Sequence, residues 1–213
     1  MVDQPTLIRR DFYLNGFLKG QFPDNNTLRT LRKELLELQE NSSIMSGFSW
    51  DEKYPGTVDL RPSATEYSPS ILQIIKVARI IDWIKNLSGI HVDLTHVQIR
   101  KSFPSNASYM SWHRDSYAKG KTWLGPIPPT FKLIFYPGTT ESTSPCLEIS
   151  NGTHRSQLAV PLLDKLQPLI REKTTLYPSL NTFMFFDSST LHRAVPNRHN
   201  TSIRIIYIFR HAS

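Results

Sequence analysis

Residues 202–210 read SIRIIYIFR. Ile203, Ile205, Tyr207 and Phe209 alternate with Arg204, Ile206 and Ile208. Side chains two apart on a strand share a face, so this segment is apolar on both faces and belongs in the middle of a sheet that is covered on both sides. Its one internal charge, Arg204, points with Ile206 toward the enclosed side, and Ser202 faces the same way. A guanidinium there is costly unless something anionic meets it, and its planar fork matches a carboxylate bidentately. The partner is either an internal Asp or Glu or a bound carboxylate.

Working back from this strand, short β-rich runs recur: FKLIFYP (131–137), PCLEIS (145–150), TLYPS (175–179), NTFMFFD (181–187) and LHRAV (191–195). Gly, Pro, Asn and Ser clusters divide them, the pattern of a sandwich or jelly roll. IHVDLTHVQIR (90–100) alternates with period two, Ile90, Val92 and Leu94 on one face and His91 and Asp93 on the polar other. Earlier the period is helical. NTLRTLRKELLELQE (26–40) places Leu28, Leu31, Leu35 and Leu38 on one stripe behind an Asn26 or Thr27 N-cap. Residues 69–88 repeat the pattern with Ile71, Ile74, Ala78 and Ile81 on a stripe, Pro69 at the start and Gly89 as a stop. Residues 160–172 read as a loop with a short helix interrupted by Pro168. The expectation is mainly β with flanking helices: a double-stranded β-helix, jelly-roll and cupin-like, with N-terminal helices packed on one sheet. Residues 1–89 would be mostly helical support and 90–213 the core, together one domain.

The composition narrows the setting. The 213 residues carry a net charge of +7, which favours anionic partners such as phosphorylated metabolites, nucleic acid or acidic surfaces. A lone Cys146 excludes a disulfide framework, the first thirty residues lack a secretory apolar run, and no stretch is long enough to span a bilayer, so the expected compartment is the cytoplasm.

SWHRDSY (111–117) sets His113 and Asp115 on one strand face with Arg114 pointing away. The pair can converge on one metal ion. His91-Val92-Asp93 has the same form, so the spacing alone is weak. A third ligand must come from another strand, and His192, after the buried run TFMFFD, is the best candidate. His154 lies in the turn-like SNGTHRS, His199 in a polar loop and His211 at the C-terminal end. Two imidazoles and a carboxylate on one face of an octahedral ion leave three positions open, the arrangement of non-haem Fe(II) oxygenases.

His113-x-Asp115, then His192, then Arg204 twelve residues later resembles the Fe(II) and 2-oxoglutarate-dependent oxygenases. More narrowly, WHRD (112–115), CLEISNGTHR (146–155) and HRAVPN (192–197) followed by SIR resemble the phytanoyl-CoA dioxygenase-like branch, as does the opening FYLNGFLKG (12–20). Asn151 stands where that branch usually has Pro, and Ala194 where it has a small hydroxyl residue. The resemblance implies Fe(II) held by His113, Asp115 and His192. It implies 2-oxoglutarate chelating that ion with its far carboxylate on Arg204, and O2 consumed to give succinate, CO2 and a hydroxylated small molecule. Halogenases of this kind replace the ligand carboxylate, so Asp115 favours hydroxylation. Ser202 could add a hydroxyl to the cosubstrate, and FKLIF another contact, Lys132 among its candidates.

The loop YAKGKTWLGPIPPT (117–130) follows the metal pair directly and suits a substrate rim, with Tyr117, Lys119, Lys121 and Trp123 as contacts. Its lysines fit an anionic or carrier-linked metabolite. Two alternatives remain. One is an AlkB-type nucleic-acid demethylase, suggested by Arg204 and Arg210 in R-x5-R spacing. The other is a jelly-roll binding module without turnover.

Overall fold

The computed structural model describes residues 4–40, 48–50, 57–60, 69–104, 110–115, 121–122, 125–126, 129–138, 146–158, 161–195 and 201–212. In chain order these form helix α1 (Gln4–Asn15), strand β1 (Phe17–Gln21), α2 (Asn26–Glu40), β2 (Phe48–Trp50), β3 (Thr57–Leu60), α3 (Ser70–Val77), α4 (Ile80–Ser88) and β4 (Val92–Ser102). There follow the short pair β5 (Lys121–Thr122) and β6 (Gly125–Pro126), then β7 (Phe131–Tyr136), β8 (Leu147–Ser150), α5 (Pro161–Leu166), β9 (Lys173–Leu176), β10 (Thr182–Asp187), β11 (His192–Ala194) and β12 (Ser202–His211). A seven-stranded antiparallel sheet runs β1-β10-β7-β12-β4-β3-β2, and a three-stranded sheet runs β11-β8-β9. The fold is mainly β, as expected.

SIRIIYIFR lies where its two apolar faces require, flanked by β7 and β4. The outward set, Ile205, Tyr207 and Phe209, joins Val97, Ile99, Leu133, Phe135 and Phe185 and packs against the helices. Rings cluster there: Phe185 stacks on Phe12 at 5.3 Å and on Phe131 at 5.6 Å and meets Trp83 edge-on at 4.9 Å. The inward face carries Ile206 and Ile208, which close with Ile134, Met184 and Phe186 against Leu147, Ile149 and Leu176 of the small sheet. The two faces of one strand thus build two cores, one against helices and one between sheets.

Local differences from the sequence reading have physical causes. Helix α2 buries Leu28, Leu31 and Leu35 as its stripe requires, but its cap is Asn25, whose Oδ1 accepts the Leu28 N–H at 3.0 Å. Residues 69–88 are two helices. Arg79 takes a left-handed conformation (φ 48°), which breaks the stripe and resets its phase. Ile71 and Ile74 are buried before the break and Ile80, Ile84 and Leu87 after it, while Ala78 and Ile81 face out. Gly89 does end α4, with φ 75° and its N–H on the Lys85 carbonyl at 2.8 Å. In β4 a register shift opposite Ile208 and Phe209 inserts one residue, so alternation slips and Leu94 and Val97 reach the same side. The expected strand at 175–179 instead spans Lys173–Leu176 and ends before Pro178. The first 89 residues also supply β1, β2 and β3 to the large sheet, beyond helical support. Among the described residues no helix is long and apolar enough to cross a membrane.

Candidate metal centre

The ligand candidates arrive from two places. His192 begins β11 and pairs with Ile149 of β8. His113 meets it through an isolated antiparallel bridge, each N–H donating to the other's carbonyl at 3.0 Å. Asp115 is fixed by its N–H on the Ser188 carbonyl at 3.0 Å. The segment 110–115 is therefore not the regular strand that the i, i+2 reading assumed; one bridge and one backbone bond turn both side chains inward. One donor atom each from His113, Asp115 and His192 lies within 4.8 Å of the others. The described residues contain no second group of this kind. His91 and Asp93 are exposed on the far end of β4, and His154 Nε2 reaches the Tyr13 carbonyl at 3.0 Å, as a turn residue should. His211 is exposed, and His199 lies outside the described residues.

The hydrogen bonds fix the chemistry of the two imidazoles. His113 Nδ1 lies 2.8 Å from the Ser111 carbonyl and His192 Nδ1 2.9 Å from the Thr190 carbonyl. A carbonyl can only accept, so each Nδ1 carries the proton and each Nε2 turns a lone pair toward the site. Among the described residues His113 Nε2 has no hydrogen-bond partner, although it is buried. His192 Nε2 lies 3.0 Å from Asp115 Oδ2, two acceptors that require a proton or a metal cation between them. Burial, reinforced by His192, pushes His113 down to about 4, so it is the neutral ligand form at neutral pH. Burial alone would raise the Asp115 carboxyl, but His192 and Lys132 outweigh it and hold it well below the usual carboxylate range. A neutral His113 imidazole and an ionised Asp115 carboxylate beside the His192 ring suit a divalent first-row metal.

Lys132, on β7, places Nζ 2.6 Å from Asp115 Oδ2. Arg204 is 5% exposed on the inner face, directly cross-strand from Arg100, which is 7% exposed. Ser202 faces the same side, half-buried and paired with Ser102. Arg100, Met110, Lys132, Ile134, Tyr136, Leu147, Ala194, Arg204 and Ile206 line one cavity with the three ligand candidates. Arg100 was missed, although counting by two along β4 from Gln98 reaches it. Arg210 is exposed at the other end of β12, so only one arginine of the R-x5-R pair reaches the site. Tyr117, Lys119 and Trp123 lie outside the described residues, and Lys121 is placed only as part of β5.

The strand parity of the sequence only turns Arg114 away from the ligands. Arg114 does point away, but into the protein: its side chain is 0% exposed and its guanidinium pairs bidentately with Asp164 at 2.7 and 2.8 Å. No sequence signal links these two residues, fifty positions apart.

No protein-family model matches the chain, and no curated protein sequence does. Solved structures do match. EvdMO1 superposes with a TM-score of 0.73 at 15% identity over 99% of this chain and 50% of its own, so this chain spans half the length of that protein. AviO1 from Streptomyces viridochromogenes Tue57 matches with TM-score 0.73 at 14% identity, over 100% of this chain and 96% of its own. The epimerase SnoN, solved with Fe3+, alpha ketoglutarate and nogalamycin RO, matches with TM-score 0.73 at 13% identity over 98% and 84%. At these identities the likeness is one of fold: the chain shares the jelly roll of SnoN, a non-haem alpha ketoglutarate-dependent epimerase.

Proposed function

We propose that the chain is an Fe(II) and 2-oxoglutarate-dependent oxygenase acting on a small molecule, with His113, Asp115 and His192 as the metal ligands. The observation that carries this is the convergence of two Nε2 lone pairs and one carboxylate within 4.8 Å, each imidazole held in the ligating tautomer by a backbone carbonyl. Bound there, iron and 2-oxoglutarate would supply O2 activation, with succinate and CO2 as the coproducts of inserting one oxygen atom into a C–H bond of the substrate. The protein's part is to hold and orient. Arg204, buried on the inner face of β12, takes the far carboxylate of 2-oxoglutarate, with Ser202 beside it. Lys132 neutralises Asp115 and lines the same cavity as Arg204, where the cosubstrate would sit. Tyr117, Lys119, Lys121 and Trp123 follow the ligand pair in sequence and are assigned to the substrate rim, where their cations favour an anionic or carrier-linked metabolite.

Hydroxylation is the reading that the retained Asp115 supports. SnoN, of the same fold, is named an epimerase, and epimerisation by such an enzyme is the second reaction to assay. The nucleic-acid reading loses its second arginine, because Arg210 is exposed and remote from the cavity.

The test is anaerobic addition of Fe(II) and 2-oxoglutarate. A weak visible charge-transfer band is expected, abolished in His113→Ala and Asp115→Ala, and weakened at equal 2-oxoglutarate in Arg204→Met. A colourless wild-type protein would return the chain to the binding-module reading. Succinate release across a metabolite panel then identifies the substrate, and retardation of methylated single-stranded DNA at low salt would reinstate the demethylase.

A further inference from the structure

We propose that the buried Arg114–Asp164 pair is a positioning device for the metal ligands, an inference that rests on the metal-site reading above. Among the described residues, the backbone of 110–115 is tied to the rest of the chain by one bridge and one further bond. Arg114, between the ligands, adds a side-chain anchor to both. Its Nε and Nη2 donate to the Asp164 carboxylate at 2.7 and 2.8 Å, and its Nη1 donates to the Thr153 carbonyl at 2.7 Å and to the Ser189 carbonyl. Both carbonyl acceptors lead to a ligand. Ser189 stands between Ser188, whose carbonyl holds the Asp115 N–H, and Thr190, whose carbonyl orients His192 Nδ1. Thr153 Oγ1 accepts the Leu191 N–H at 2.8 Å, immediately before His192. One guanidinium thus cross-links the two chain segments that carry the three ligands.

The helix that brings Asp164 is inverted. Asp164 and Gln167 are 2% and 5% exposed, while Leu162, Leu163 and Leu166 are 70%, 52% and 45% exposed. Apolar burial does not seat α5; polar bonds do. The Asp164 carboxylate also accepts from Leu158 N–H at 2.9 Å and Gln167 Nε2 at 2.7 Å, so it enters the pair already oriented. Outer residues that orient metal ligands typically change affinity by roughly 10–100-fold when removed.

The test separates positioning from mere stability. Removing one partner orphans a buried charge, whereas replacing both with apolar residues does not. The double variant Arg114→Met with Asp164→Leu is therefore expected to stay folded, with a smaller loss of stability than Asp164→Ala alone. It should nevertheless bind Co(II), used as a stable probe, about 10–100-fold more weakly, with shifted d–d absorption, because the bonds to Thr153 and Ser189 are gone. A folded double variant with wild-type Co(II) affinity and spectrum overturns the proposal. Should the double variant fail to fold, Arg114→Lys keeps the charge but loses the fork. Weaker Co(II) binding in the folded lysine variant supports the proposal, and unchanged binding overturns it. Wild-type protein that takes up no Co(II) defeats the metal-site reading itself, and the positioning role with it.

Discussion

Replacing Gly16 by alanine sets three effects against one another at the junction of α1 and the metal centre. Gly16 has φ +84°, its N–H closes α1 onto the Phe12 carbonyl at 2.7 Å, and its own carbonyl accepts the Asp187 N–H at 3.0 Å. A side chain in the left-handed region costs about 1–2 kcal/mol. The added Cβ would lie 2.4 Å from His154 Nδ1 and 2.6 Å from Thr190 Oγ1, so both side chains must move. Such overpacking costs about 1–3 kcal/mol. Against these, alanine restricts the unfolded chain and returns about 0.4–1 kcal/mol. The balance is a loss of about 1–4.6 kcal/mol, centred on about 3 kcal/mol, or roughly 2–18 °C in melting midpoint for a chain of this size. Two other glycines calibrate the result. Gly20, without a positive φ, would press a Cβ onto the Phe183 ring at 2.9 Å, and Gly138 would meet nothing within 4 Å. Urea and thermal denaturation should rank the losses Gly16, Gly20, Gly138, with Gly138→Ala within about 0.5 kcal/mol of wild type. A Gly16→Ala protein within about 1 kcal/mol of wild type would refute the steric argument.

Asp164→Ala leaves the Arg114 guanidinium buried and unpaired, and chemical denaturation at pH 7 should show a loss of about 3–5 kcal/mol. Burial works to raise the Asp164 carboxyl but Arg114 outweighs it and keeps it below its ordinary 3.8; the pair's contribution is complete above about pH 4, and the gap between variant and wild type should narrow as pH falls further. Burial pushes the Cys146 thiol up to about 12, so iodoacetamide at pH 8 should leave native protein unlabelled and react fully only in denaturant. Phe185→Ala opens the aromatic cluster with Phe12, Phe131 and Trp83 and should cost about 3–5 kcal/mol by calorimetry. Leu169→Gln with Ile170→Gln, at side chains 77% and 87% exposed, should stay within about 0.5 kcal/mol.

What was legible in the sequence is what local periodicity controls. SIRIIYIFR had to be central because both its faces are apolar, and Arg204 had to point inward because it shares parity with Ile206. His192 stood out by following a buried run. What was illegible depends on events that break a period or on partners chosen across long separations. The left-handed Arg79 shifts a helical stripe that is otherwise continuous in sequence, and the inserted residue in β4 shifts a strand. Strand β1 adds to the sheet edge beside β10, a pairing that FLKGQ does not announce because only Phe17 in it is buried.

The same distinction explains why the ligands were easier to read than their support. A ligand set is defined by residue type, and two histidines with a carboxylate are chemically conspicuous wherever they fall. The group that aims them need only be a donor or acceptor of suitable length, and nothing about an arginine in sequence says whether it ends in water or in the interior. Its burial follows from the helix Pro161–Leu166 turning its acid inward and its leucines out, the reverse of what an amphipathic pattern predicts. Where a helix exposes its apolar residues and buries its charge, the polar contact must be what fixes its position. The place to look for the support of a site is then the element whose hydrophobic pattern fails.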